Sequence, residues 1–225
     1  EWKPKNYSKR FYGPVPLRTA LAKSYNVITI KILEDIGVRY AANYARKLGI
    51  ESELAEDLTL GLGSSALTPM ELARSYAVLA NGGVRVMPTY INKVLDRDGK
   101  VIESNDPADF PAGPMSGQKL IGQSRNRVIS PETAYLTTNL LESVVQNGTG
   151  WRARSLKRPT AGKTGTTNDL KDAWFIGYSP SKGILTGIWL GNDDNRPAEA
   201  ASGALVAELW GRYMQNVATE VPARG

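Results

Sequence analysis

The sequence contains no cysteine and no histidine. Without a thiol there is no disulfide framework and no thiolate nucleophile. Without an imidazole, neither a Ser-His-Asp triad nor a Cys-His pair can be assembled from these residues. The same two absences exclude zinc sites built from Cys and His. Chemistry performed here must draw on Ser, Thr, Lys, Tyr, Asp or Glu, and neither a metal nor a cofactor is implied. A chain free of thiols also suits an oxidising compartment, where a stray cysteine forms unwanted cross-links. No run of about 18 or more apolar residues occurs, so no segment reads as a membrane-spanning helix. The opening Glu1-Trp2-Lys3-Pro4 lacks the build of a secretion signal. Any export or anchoring signal is expected outside these residues.

The 225 residues suffice for one large domain or two small ones, and 41% hydrophobic with 22% charged residues is ordinary for a globular domain with a useful core. The net charge of +6 comes from 28 basic and 22 acidic side chains. Those basic residues are scattered, with no block of five and no basic-aromatic interleaving, so the surplus reads as solvated surface and no nucleic-acid partner is expected.

Periodicity places helices first and strands later. Residues 1–16, rich in Pro, Tyr and Lys, show no period and read as an extended lead-in. Leu17, Ala20, Leu21, Ser24, Val27 and Ile28 recur at helical spacing, so one helix over residues 17–36 is expected, with Ser24 on its inward edge and Gly37 as its stop. A second helix over 40–48 ends at Gly49. Thr68-Pro69-Met70-Glu71 is a helix start in which Thr68 caps, Pro69 fits the first turn and Glu71 reaches back; Asn81-Gly82-Gly83 ends that helix. Residues 84–102 read as strand-like around a turn at Asp98-Gly99, and 103–127 as an irregular excursion. Ser130-Pro131-Glu132 opens a further helix that closes at Gly148-Thr149-Gly150. Strands are expected over 157–166, 172–178 and 184–191, the last two joined by the hairpin loop Ser179-Pro180-Ser181-Lys182-Gly183. Residues 203–217 close the chain as a helix. The predicted fold class is α+β, an antiparallel sheet covered by helices.

The most informative segment is Ala161-Gly162-Lys163-Thr164-Gly165-Thr166-Thr167. Gly162-Lys163-Thr164 matches the tail of a phosphate-binding loop, but the pattern's first glycine falls on Lys157, and a strand rather than a helix follows. The other chemistry is acyl transfer on a carboxylate-bearing peptide. On an edge strand, Lys163 raises the local positive potential. Thr164 and Thr166 offer hydroxyls to a carboxylate, Gly165 leaves room for close approach, and the Thr166 N–H is placed to serve an oxyanion hole. K-T-G alone is a modest signal. Its company is Ser24-Tyr25-Asn26, an S-x-N element on the expected inward helix edge. A second match, Ser124-Arg125-Asn126, lies in irregular chain and shows how cheap that pattern is.

Together with Gly13-Pro14-Val15-Pro16-Leu17-Arg18, with Leu60-Gly61-Leu62-Gly63-Ser64-Ser65, and with Asp172-Ala173-Trp174-Phe175-Ile176-Gly177-Tyr178, these motifs resemble the transpeptidase domain of class A (bifunctional) penicillin-binding proteins, over nearly the whole chain. The resemblance implies a β-lactamase/transpeptidase-like fold, with residues 1–225 as the C-terminal part of that domain. It implies acylation of a serine by a peptidoglycan stem peptide, with loss of the terminal D-alanine and transfer to a neighbouring amine. Penicillins mimic the D-Ala-D-Ala end. Ser24 would relay a proton to the leaving amine, Asn26 would hold the substrate amide, and Lys163, Thr164 and Thr166 would hold the carboxylate. The implied partners are stem peptides, β-lactams, the upstream part of the same domain and a glycosyltransferase domain. The implied location is the extracytoplasmic face of the bacterial inner membrane.

One departure stands out. The family's nucleophile lies in an S-x-x-K tetrad on a helix upstream of S-x-N, because the lysine amine must sit one turn from the hydroxyl it deprotonates. No such tetrad precedes Ser24. The formal matches Ser116-Gly117-Gln118-Lys119 and Ser179-Pro180-Ser181-Lys182 lie in the irregular excursion and in the hairpin loop. The expectation is that the nucleophile-bearing segment is not in this chain and that the chain alone is inactive. The alternative is a non-catalytic module of the same fold that binds β-lactams or wall peptides. A serine with its lysine in the tetrad marks the enzyme, and their replacement marks the sensor.

Overall fold

In a computed structural model, residues 3–105, 126–167, 169–180, 183–198 and 201–220 are described. Helices α1 (Leu17–Lys23), α2 (Asn26–Ile36), α3 (Val38–Leu48) and α4 (Pro69–Ala80) come first. A small hairpin follows, β1 (Lys93–Leu95) and β2 (Val101–Ser104), and then α5 (Pro131–Asn147). The main sheet is β3 (Ala161–Thr166), β4 (Asp172–Ser179) and β5 (Ile184–Gly191), and α6 (Gly203–Glu220) closes the fold.

Local chemistry accounts for most boundaries. Thr68 accepts from the Glu71 N–H, and the Glu71 carboxylate answers by accepting from the Thr68 N–H, so the expected capping box is formed. Ser130 accepts from Thr133 N–H at the start of α5. Gly49 ends α3 at φ 109°, a left-handed conformation that favours glycine.

Glu71 does more than cap. Its buried carboxylate also accepts from Ser52 Oγ and from the N–H groups of Glu51 and Ser52, and so ties the loop after α3 to the start of α4. The Ser52 hydroxyl, the Thr68 hydroxyl and these backbone donors hold its pKa well below the ordinary carboxylate value. A depressed carboxylate pKa contributes stability that is fully present above the unfolded value and is lost as pH falls below it. Glu71→Gln is therefore expected to lower the melting temperature at neutral pH, with a gap from wild type that narrows once the pH drops below the ordinary value of 4.5. Melting curves across that range check this; a gap that does not change with pH would contradict it.

The strand expectations hold at the sheet and need correction elsewhere. The pairs β3–β4 and β4–β5 are antiparallel, with Lys163 opposite Ile176 and Ser179 opposite Ile184. The first of these strands begins at Ala161 and not at 157, because Lys157 is left-handed (φ 53°) at the end of a 3-10 turn, Trp151–Leu156. Most of 84–102 is not strand either. Val84 makes one isolated bridge to Arg127, and only the exposed β1–β2 hairpin forms around the Asp98-Gly99 turn. Pro88 lacks the N–H a ladder needs. Ser116-Gly117-Gln118-Lys119, most of the irregular excursion, Ser124, Arg125, Ser181 and Lys182 lie outside the described residues.

Helices cover both faces of the sheet. Phe175 packs with Val206, Trp210 and Met214 of α6, while Ala161 and Tyr178 pack on the other face with Leu141 of α5 and with Leu21 and Tyr76. The order β3-β4-β5 leaves β3 at an edge among the described residues. Gly162 is a packing requirement of this arrangement, since a Cβ there would lie 2.7 Å from Phe175 Cζ and 2.8 Å from the Ile176 carbonyl oxygen. Gly162-Lys163-Thr164 sits inside a strand that turns straight into antiparallel β4, so no helix N-terminus is present to cradle a phosphate. Among the described residues, no helix is long and apolar enough to cross a membrane.

Candidate active site

Residues 17–36 are not one helix. The chain breaks at Ser24, which is left-handed at φ 55° and ψ 52°. Ser24 N–H returns to the Leu21 carbonyl (3.1 Å) and Tyr25 N–H to that of Ala20 (2.9 Å), the hydrogen bonds of a Schellman turn with serine where glycine is usual. Ser24 is exposed on this turn and does not lie on an inward helix edge. Helix α2 then starts at Asn26 without a cap of its own. The cap comes from the lead-in, where the buried Asn6 accepts from Val27 N–H (3.1 Å) and donates to the Arg10 carbonyl (2.7 Å). Tyr12 stacks on Tyr25 with ring centroids 4.3 Å apart. The aperiodic lead-in thus braces the S-x-N turn.

Lys163 reaches that turn from the sheet. Its Nζ donates to Ser24 Oγ and to the Thr164 carbonyl, both at 3.0 Å. Among the described residues no carboxylate pairs with it. Burial disfavours its charged form and pushes its pKa down to about 8. The side chain thus holds a transferable proton beside a hydroxyl at near-neutral pH, next to the exposed edge of β3.

Thr164 and Thr166 share the other face of β3. Thr164 Oγ1 lies 2.6 Å from Thr149 Oγ1. A Cβ on Gly203 would approach Thr164 Cβ to 3.0 Å and Thr166 Oγ1 to 3.2 Å, so a side chain at the start of α6 would crowd this threonine pair. Thr166 is exposed and Gly165 half-buried. The Thr167 hydroxyl accepts from the N–H groups of Lys171 and Asp172 and shapes the turn into β4.

The structure therefore brings Ser24 and Lys163 into direct contact, with Thr164, Gly165 and Thr166 following along the same edge strand. Asn26 is placed differently: its Nδ2 donates to the Lys5 carbonyl (3.2 Å), across the lead-in. Asn6, Thr149 and Gly203 carry this geometry and were not singled out as site residues by sequence reasoning. The pair of glycines around Thr149 was the available signal, since two glycines where one ends a helix point to close packing on both sides.

An edge strand bearing K-T-G-T opposite a helix-turn serine is the geometry of the family resemblance, and comparison with known proteins decides it. The sequence profile of the family described as "Penicillin binding protein transpeptidase domain" matches residues 1–215. The chain belongs to this family. It is 35% identical to penicillin-binding protein 1A of Pseudomonas aeruginosa, over 95% of this chain and 30% of that protein. It is 38% identical to penicillin-binding protein 1A of Neisseria gonorrhoeae, over 95% of this chain and 26% of that protein. The chain thus spans less than a third of the length of these relatives. A crystal structure of penicillin-binding protein 1A from Haemophilus influenzae superposes with a TM-score of 0.83 at 31% identity, covering 100% of this chain and 37% of that one. PonA1 from Mycobacterium tuberculosis shares the fold, with a TM-score of 0.79 at 23% identity over 100% of this chain and 61% of that one. The class A kinship and the α+β fold read from the sequence both hold.

In a penicillin-binding transpeptidase domain, a serine at a left-handed position poses a testable conflict. Left-handed geometry costs a non-glycine residue about 1–2 kcal/mol. Ser24→Gly is therefore expected to leave the domain as stable as wild type, or up to about 1 kcal/mol more stable, while slowing β-lactam acylation in the complete protein. Parallel melting and acylation measurements check the split. If the variant acylates at the wild-type rate, the Ser24 hydroxyl has no part in the chemistry.

Proposed function

We propose that these residues supply the S-x-N and K-T-G elements of a serine-type DD-transpeptidase that cross-links peptidoglycan. The observation that carries the reading is the 3.0 Å contact between Lys163 Nζ and Ser24 Oγ, made across 139 residues of sequence. In this reading the nucleophilic serine and its lysine lie outside this chain, in the upstream part of the same domain. That serine attacks the carbonyl of the penultimate D-alanine, and its proton passes to the tetrad lysine. Collapse of the tetrahedral intermediate breaks the C–N bond. The leaving amine takes a proton from Ser24, which is resupplied by Lys163. Lys163, Thr164 and Thr166 seat the C-terminal carboxylate, Gly165 admits the substrate backbone, and the Thr166 N–H faces the developing oxyanion. Asn26 holds the substrate amide once its side chain is released from Lys5. An acceptor amine then resolves the acyl-enzyme. Stem peptides and β-lactams are the ligands, a glycosyltransferase domain is the companion, and the extracytoplasmic face of the inner membrane is the setting. The non-catalytic alternative is not favoured, since the matching family is a transpeptidase family.

Labelling with a fluorescent penicillin tests this. The complete protein is expected to label on one serine and the isolated chain on none. Label on a serine of the isolated chain would overturn the placement of the nucleophile. Absence of label on the complete protein would overturn the transpeptidase reading.

A further inference from the structure

The loop between α5 and the sheet is held with unusual closeness. A Cβ at Gly148 would lie 2.2 Å from the Ala22 carbonyl oxygen, and one at Gly150 would lie 2.9 Å from the Phe175 ring. Between them, the Thr149 N–H donates to the same Ala22 carbonyl (3.0 Å), in the last turn before Ser24. Lys23 Nζ donates to the Asn147 carbonyl (2.7 Å) at the end of α5. The backbone of Thr149 is thereby pinned between the helix that precedes the S-x-N turn and the sheet that carries K-T-G. Its hydroxyl is delivered to Thr164 Oγ1 at 2.6 Å.

A hydroxyl has a single proton to donate. If Thr164 gives that proton to Thr149, it has none left for an anion. If Thr149 is the donor, the Thr164 proton is free to point outward, and the chain of two hydroxyls is polarised toward the incoming charge. Resting on the carboxylate seat proposed above, we propose that Thr149 is a positioning residue: it donates to Thr164 and so orients the Thr164 hydroxyl as a donor to the carboxylate of the acyl substrate. Thr149 does not itself touch the substrate.

The test uses the complete protein and benzylpenicillin, with acylation measured as a function of drug concentration to separate the apparent dissociation constant from the limiting rate. Thr149→Val keeps the shape and removes the donor. It is expected to raise the dissociation constant about ten-fold and to leave the limiting rate within about two-fold. Thr149→Ser restores the wild-type constant. On a Thr164→Val background, Thr149→Val has no further effect. If Thr149→Val lowers the melting temperature, Thr149→Ala provides the same comparison by removing atoms only. The inference is overturned if the Val and Ala variants bind like wild type, if Ser binds as poorly as Val, or if the Thr149 and Thr164 losses add in full. Failure of the underlying reading shows separately, as an acylation rate that Lys163→Ala does not change.

Discussion

Replacing Lys163 with alanine in the complete protein is expected to slow β-lactam acylation by about 10²-fold or more, while Lys182→Ala leaves it near the wild-type rate. The difference follows from position. Lys163 projects from the edge strand onto Ser24 Oγ at 3.0 Å, whereas Lys182 follows β4 in sequence and lies outside the described residues. Under the proposed function, removing Lys163 takes away both the cation that would draw in a carboxylate and the proton donor behind Ser24. Its pH dependence has a defined sign. Burial lowers its pKa to about 8, so the ammonium predominates below that value and is lost as the pH rises through it. The second-order acylation constant, which reports the free enzyme, is expected to decline on the alkaline side with an apparent pKa near 8. Lys163→Arg removes that limb or moves it upward, because a guanidinium stays charged across the accessible range. Equal losses for the 163 and 182 variants would sink the assignment.

Truncating Trp210 to alanine is expected to cost about 3–5 kcal/mol of domain stability, which for a domain of this size lowers the melting temperature by roughly 10 °C. Trp210 is 0% exposed. Its ring meets Phe175 edge-on at 5.2 Å between centroids, and its indole N–H donates to the Thr186 carbonyl (2.9 Å). It also lies against Gly177 of β4, so it fixes how α6 sits on the sheet, and with it the glycine start of α6 against Thr164 and Thr166. Trp189 is the internal control. It is 41% exposed on β5, where its ring tilts against Trp174 and its indole N–H donates to Asp172, so Trp189→Ala is expected to cost far less. Calorimetry of the domain transition in both variants checks this. Similar losses would mean that the core is not organised around Trp210.

Helix punctuation was legible because its chemistry is local. Thr68 with Glu71, Ser130 and Gly49 each act within a turn of their own position, and the structure uses each as the sequence suggested. The β4–β5 hairpin was legible for the same reason. The break at Ser24 was not. Apolar residues keep helical spacing on both sides of it, and a left-handed turn shifts the helix axis without changing which residues are apolar. The strand-like reading of 84–102 was upheld only in the β1–β2 hairpin around Asp98-Gly99, since alternation makes a strand only where another strand is available to pair with it.

Residue types alone narrowed the chemistry: with no imidazole and no thiol, only Ser, Thr, Lys, Tyr, Asp and Glu were left to carry it, and K-T-G with S-x-N and the stretches beside them carried the resemblance to the family. Which hydroxyl meets which lysine was settled only by the fold. Ser24 lies 139 residues from Lys163 and meets it and the Thr149 loop because the sheet, α1 and the end of α5 pack on one another. Thr149 gained its place in the same way, through glycines whose missing side chains let its loop close on the α1 backbone and on the Phe175 ring. Such contacts depend on distances between distant segments, and no local pattern of residues encodes them.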